Sequence, residues 1–126
     1  MPRPKEYRLM KVDKSWNATF NDLSEQEKKV IDDKIWNVIR LNPYDSEPLQ
    51  KELEGLYSYN KIESGNRIVF AICYECRKRG FTKVNNCLDC ESVGNDVVKL
   101  FAAGRHDALY NYLSRKRQSR MRFKQK

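Results

Sequence analysis

Apolar and polar residues mix through YRLMKV at positions 7–12 with enough alternation, broken only at Leu9–Met10, to predict a first strand. Over 16–23 the spacing changes, and Trp16 and Phe20, four apart, predict a short helix that turns both rings inward. Ser24 opens a longer helix. Glu27 stands three residues after it, as in a capping box, and Val30, Ile31, Ile35, Val38 and Ile39 form an apolar stripe that stops before Asn42 and Pro43. This helix is expected to cover one face of a sheet. Residues 44–55 read as loop with room for one helical turn, and 56–63 and 67–74 read as a hairpin turning at Ser64, Gly65 and Asn66. Residues 97–103 give a third apolar strand, Gly104 is expected to break it, and a C-terminal helix begins over 107–113. The order is βααβββα, an α+β domain over residues 1–113 without internal repeats.

Length agrees with one such domain, since 126 residues suffice for a single modest core. No run of roughly 18 apolar residues occurs and MPRPKEYRLMKV lacks the apolar stretch of a signal peptide, so the expected location is cytoplasmic, with no membrane role. The net charge of +8 is concentrated at one end. Arg115, Lys116, Arg117, Arg120, Arg122, Lys124 and Lys126 put seven cations and no acid in the last twelve residues, whereas the other 114 hold 18 basic residues against 17 acids. This basic tail, 114–126, suits phosphates or an acidic partner, through attraction that weakens with salt.

Four cysteines, Cys73, Cys76, Cys87 and Cys90, interrupt the domain with the spacing C-x2-C-x10-C-x2-C. In a reducing compartment two such pairs point to one tetrahedral zinc ion, with iron or an unmetallated thiol cluster as the alternatives, although four cysteines also allow three disulfide pairings. We expect a zinc-ribbon-like hairpin over 73–90, inserted between the last strands. An all-cysteine site has no open position, so the metal is structural, and Arg77, Lys78, Arg79 and Lys83 offset its negative charge.

L-x-G-x-Y-S-Y-x-K-I followed by S-G-N-R-I-V-F, then V-x-L-F-A-A-G-R-H-D-A-L-Y, resembles the RelE/ParE superfamily of bacterial toxin–antitoxin systems. The resemblance spans roughly residues 5–113 without the cysteine insertion. It implies a twisted, mainly antiparallel sheet packed by two N-terminal helices, a cognate antitoxin as partner, and no small-molecule cofactor. RelE-type members cleave messenger RNA, often at the ribosome, and ParE-type members poison DNA gyrase.

Metal-independent RNA cleavage needs a base for the ribose 2′ proton, a cation for charge growing on the phosphate, and an acid for the departing 5′-oxygen. The resemblance assigns the cation to Arg67, whose planar fork suits phosphate oxygens. His106, the single histidine, matches the family's C-terminal His and titrates near neutrality in its ordinary state. Tyr110, four residues on, falls on the same helix face and matches the family's C-terminal Tyr, with Tyr112 its competitor. Glu47, in E-P-L-x-x-x-L-x-G, resembles the acid that serves as base in the YoeB-like branch.

RelE itself carries two lysines on the strand before its Arg, where this chain has Tyr57, Ser58, Tyr59, Asn60 and Lys61. Lys61 is the single cation there, and a Glu47 base with a His106 acid fits the chain better than a lysine base. Tyr59, Arg105, Arg115, Arg117 and Arg120 complete the candidate RNA contacts. The expected function is an endoribonuclease toxin acting on messenger RNA. The alternatives are a ParE-like gyrase inhibitor and a non-catalytic, zinc-containing RNA- or ribosome-binding module.

Overall fold

The computed structural model describes residues 5–81 and 94–124. Their elements in chain order are β1 (Arg8–Lys11), α1 (Asp13–Phe20), α2 (Glu25–Lys34), β2 (Glu47–Pro48), β3 (Tyr57–Tyr59), β4 (Asn66–Ile72), α3 (Cys73–Arg79), β5 (Val97–Arg105) and α4 (His106–Lys124). The strands form one sheet in the order β1-β5-β4-β3-β2, with β1 parallel to β5 and every other pair antiparallel. This is the expected α+β architecture.

β4 and β5 occupy the middle of the sheet and are covered on both faces, which is why NRIVFAI and VVKLFAAGR read as nearly continuous apolar runs. Ile68, Phe70 and Ile72 of β4 enter one core with Trp16 of α1 and Ile31 of α2. Val69 and Ala71 enter a second core with Cys73 and Cys76 of α3 and Leu109 and Leu113 of α4. Each fully buried side chain of this size contributes about 1.5–3 kcal/mol relative to leaving it in water. The β4–β5 ladder slips between Val69 and Phe70, which face Ala102 and Leu100, and Phe101 is the extra residue. The bulge lets Phe101 and Ala102, adjacent in sequence, serve the same core.

Helix α2 begins as its sequence specifies. Glu27 N–H donates to Ser24 Oγ at 3.2 Å, and Ser24 N–H donates to Glu27 Oε1 at 3.0 Å. The helix then widens into a π turn over Ile35–Ile39, where Arg40 N–H reaches Ile35 O at 2.9 Å. Ile31, Ile35 and Ile39 are all buried, whereas Val30, expected in the same stripe, is 39% exposed. One residue is a rotation of about 100° on a helix, enough to carry Val30 out of the interface.

Several expected boundaries shift, each for a local reason. α1 starts at Asp13, before Trp16, and ends at Phe20, with the two rings stacked 5.1 Å apart. The loop before β3 contains the two-residue strand β2 and short 3-10 turns at Pro43–Asp45 and Lys51–Leu53. β3 ends at Tyr59, well short of residue 63, because Ile62 turns back into the core and its carbonyl accepts the Gly65 N–H at 3.1 Å. β4 ends at Ile72, two residues early. Cys73 and Cys76 instead lie one helical turn apart on α3, both buried, while Tyr74 is 37% exposed. The first half of the expected cysteine hairpin is therefore a helix, and Cys87 and Cys90 lie outside the described residues.

Gly104 does not break β5. It adopts φ +154°, a value glycine accepts without a Cβ penalty, and the strand runs on to Arg105, which pairs with Asn66. α4 begins at His106 and continues without interruption to Lys124, so most of the basic tail extends the same helix. Nineteen residues at 1.5 Å each make it about 28 Å long. Among the described residues no helix is long and apolar enough to cross a membrane.

Candidate active site

Alternation along β4 sends Arg67, with Val69 and Ala71, to the face covered by α4, and Asn66, with Ile68 and Phe70, to the face covered by α1 and α2. Arg67 is half-buried and sits opposite Gly104 in the β4–β5 ladder. Among the described residues its guanidinium has no hydrogen-bond or ion-pair partner. A Cβ placed on Gly104 would meet nothing within 4 Å among the described residues, so no described side chain fills the position opposite Arg67.

Two residues beyond Gly104, His106 starts α4. Leu109 and Leu113 anchor that helix on the sheet, and His106 and Tyr110 belong to the same i, i+3, i+4, i+7 stripe. The His106 and Tyr110 rings lie 4.1 Å apart, tilted at 43°, and Tyr110 packs against the α4-side core. His106 Nδ1 lies 2.9 Å from Asp107 Oδ1. A carboxylate accepts only, so Nδ1 is the donor in this pair and Nε2 is not engaged by it. The His106 side chain is 47% exposed, reachable by a large substrate.

Glu47 lies on β2 opposite Ser58, and the register runs on through Val69 to Ala102. It therefore shares the face of Arg67, two strands across and two residues along, about 12 Å by ordinary strand spacing. Its Oε2 accepts from Asn60 Nδ2 at 3.1 Å. The sheet thus gathers Glu47, Arg67, His106 and Tyr110 on one side.

Lys61, Tyr59 and Arg105 belong to the other side. Tyr59 is 4% exposed and packed in the core beneath α1 and α2, so its ring is closed to a base. Lys61 pairs with Asp45 at 3.5 Å and lines a groove of about 800 Å³ between α2 and the turn after β3, with Glu27, Lys34 and Glu63. Neither residue meets Arg67: parity on β3 turns Tyr59 to the opposite face, and Lys61, beyond the strand's end, is drawn to Asp45 on the α2 side. Arg105 pairs with Asn66 and its charge acts on Glu27, again on the α2 side.

That side holds a network the sequence did not reveal. Asn66, 1% exposed, donates from Nδ2 to Glu27 Oε2 at 2.7 Å and to Ser64 Oγ at 3.0 Å. The bond from Asn66, then those from Ser24, hold the Glu27 carboxyl below the usual carboxylate range. The capping box was legible in the sequence, but its link to a strand 39 residues away was not.

On α4, Arg115 is exposed and its Nε donates to Asn111 O at 3.4 Å. Arg117 and Arg120 lie farther along the same helix. Cys73 and Cys76 are each 1% exposed and belong to the α4-side core. Among the described residues no three His, Cys, Asp or Glu side chains converge as a metal site.

No family model matches the sequence, and no curated protein matches it. Among solved structures the chain is similar to one in the toxin–antitoxin complex RelBE2 from Mycobacterium tuberculosis, with a TM-score of 0.60 and 12% identity. The match covers 84% of this chain and 98% of that one. At that identity the likeness is one of fold, and the fold is RelE-like.

Proposed function

We propose that this chain is the toxin of a toxin–antitoxin pair and cleaves messenger RNA at the ribosome. The observation that carries this reading is Arg67, a half-buried guanidinium without a partner among the described residues, paired across the ladder with side-chain-free Gly104, two residues before the His106–Tyr110 pair opens α4. An unpaired cation with no described side chain opposite it suits a phosphodiester. The RelE-like fold, seen in a toxin–antitoxin complex, supports the same assignment and a cognate antitoxin as partner.

In this reading the RNA backbone crosses the α4 side of the sheet. Glu47 takes the proton from a ribose 2′-hydroxyl, and the 2′-oxygen attacks the adjacent phosphorus. Arg67 hydrogen-bonds the non-bridging oxygens as their charge grows. The bond from phosphorus to the 5′-oxygen breaks and His106 Nε2, protonated, supplies the proton that oxygen needs. The products are a 2′,3′-cyclic phosphate and a free 5′-hydroxyl. Asp107 holds the imidazole in its working orientation, and Tyr110 packs against it and borders the phosphate. Arg115, Arg117 and Arg120 extend the cationic track along α4.

Zinc bound by Cys73, Cys76, Cys87 and Cys90 belongs to the same proposal. Cys73 and Cys76, three apart on α3, share a helix face and are buried, a donor pair suited to a closed, structural thiolate site. The ion would cross-link the segment after β4 to the chain before β5 and takes no part in cleavage.

The test is expression from a tightly controlled promoter beside His106→Ala, with messenger 5′ ends mapped by primer extension. New cuts that vanish with His106→Ala are expected. Growth arrest without cuts would transfer the weight to gyrase inhibition.

A further inference from the structure

Arg67 is the second residue of β4, and a single ladder pair, Asn66 with Arg105, separates it from the turn. Strand ends fray, and a guanidinium at the end of a long side chain amplifies any backbone rotation beneath it. Something must hold the start of β4 in place. Asn66, buried on the opposite face, supplies the attachment: its Nδ2 bonds to Glu27 Oε2 and Ser64 Oγ, while its Oδ1 has no partner among the described residues. The side chain acts here through its donors.

Glu27 is suited to this in a way no close relative is. Oε1 accepts from the Ser24 N–H and Oε2 from Asn66, so both oxygens are committed, one to the helix cap and one to the strand. A glutamine would aim an NH₂ group at one of these two donors and lose that bond. Aspartate is one methylene too short to span both. The Arg105 charge beside the carboxylate favours the ionised, doubly accepting form.

We propose that Glu27 is a positioning residue, acting through Asn66 to fix Arg67 for phosphate binding on the other face of the sheet. The proposal rests on the ribonuclease reading above. Adjacent strand residues point to opposite faces, so the tie secures the backbone under Arg67 without occupying the site.

The experiment is a double-mutant cycle in the full chain, with Asn66→Ala, Arg67→Ala and the double variant. Cleavage of a reporter messenger RNA on ribosomes and urea stability are measured for each. Amide hydrogen exchange at Arg67 and Arg105 is followed in Asn66→Ala. Asn66→Ala leaves the capping box intact and is expected to lower kcat about tenfold, to speed exchange at both amides, and to have no further effect on rate once Arg67 is alanine. Glu27→Gln should reproduce the kcat loss. Equal rate losses in both backgrounds, or unchanged exchange, would show a purely structural residue and overturn the proposal. A wild-type chain that cuts no RNA while exchange still quickens would instead overturn the ribonuclease reading, and the positioning role of Glu27 in it.

Discussion

Arg67 and Gly104 face each other across the β4–β5 ladder, and a Cβ on Gly104 would meet no described residue within 4 Å, so no described side chain stands opposite Arg67 on the α4 side. Gly104→Val would put a side chain there and force a β-branched residue to φ +154°. The strain is about 1–3 kcal/mol. We expect a lower melting temperature and at least a tenfold loss of cleavage, with the rate measured well below the new melting point.

His106 is half exposed and contributes no buried contact of consequence, so His106→Gln should shift urea stability by less than about 0.5 kcal/mol. Its loss as proton donor should reduce cleavage by about 10²- to 10⁴-fold. Parallel denaturation and single-turnover cleavage check both halves.

Lys61 and Tyr59 give opposite expectations. Lys61→Ala removes an exposed cation on the α2 side and should leave cleavage within about twofold, because exposed pairs such as Lys61–Asp45 contribute about 0–1 kcal/mol. Tyr59→Ala empties a buried ring position and should cost about 3–5 kcal/mol. A large cleavage defect in stable Lys61→Ala would return the lysine to the chemistry.

Acid should loosen the fold through Glu27 and Asp96. Both carboxyls are held below their ordinary values of 4.5 and 3.8, Glu27 first by Asn66 and Asp96 first by Arg8. A depressed carboxylate stabilises the folded chain above its unfolded pKa, and that contribution fades as pH falls through the folded one. Urea midpoints should decline below about pH 4.5, and less steeply in Glu27→Gln.

Protein purified without chelator should contain one zinc per chain. Cys73→Ser should lower the metal content and the melting temperature together. Metal-free protein with an unchanged melting temperature would remove zinc from the account.

The local signals in the chain were direct. Ser24 and Glu27 specify their capping box by spacing alone, and the bonds form as expected because each partner lies within one helical turn. The inward positions of Trp16, Ile31, Ile35 and Ile39 follow from helical period, since burying apolar surface is the largest favourable term in folding. The strand ends were less legible. Gly104 read as a breaker, yet an extended strand accepts a glycine at positive φ when its neighbours remain paired on both sides.

Parity was the decisive ambiguity at the candidate site. Lys61 and Arg67 are both cations near one turn, and in sequence nothing distinguishes their faces, because β3 leaves the ladder at Tyr59 and the period-two count lapses before β4 begins. A slip of one residue reverses every assignment. Only the assembled fold, with Arg67 opposite Gly104 in the ladder and Lys61 drawn to Asp45 beside α2, placed them on opposite sides.

The sequence by itself determined the α+β class, the helix cap, the apolar strands and the candidate residue types, since these depend on local period and composition. The tertiary structure decided which of those residues share a face, that Tyr59 is core, and that Glu27 reaches Asn66 across 39 positions. Such relationships depend on strand order and register, which are set by pairing energies between distant segments and leave no periodic trace in the chain.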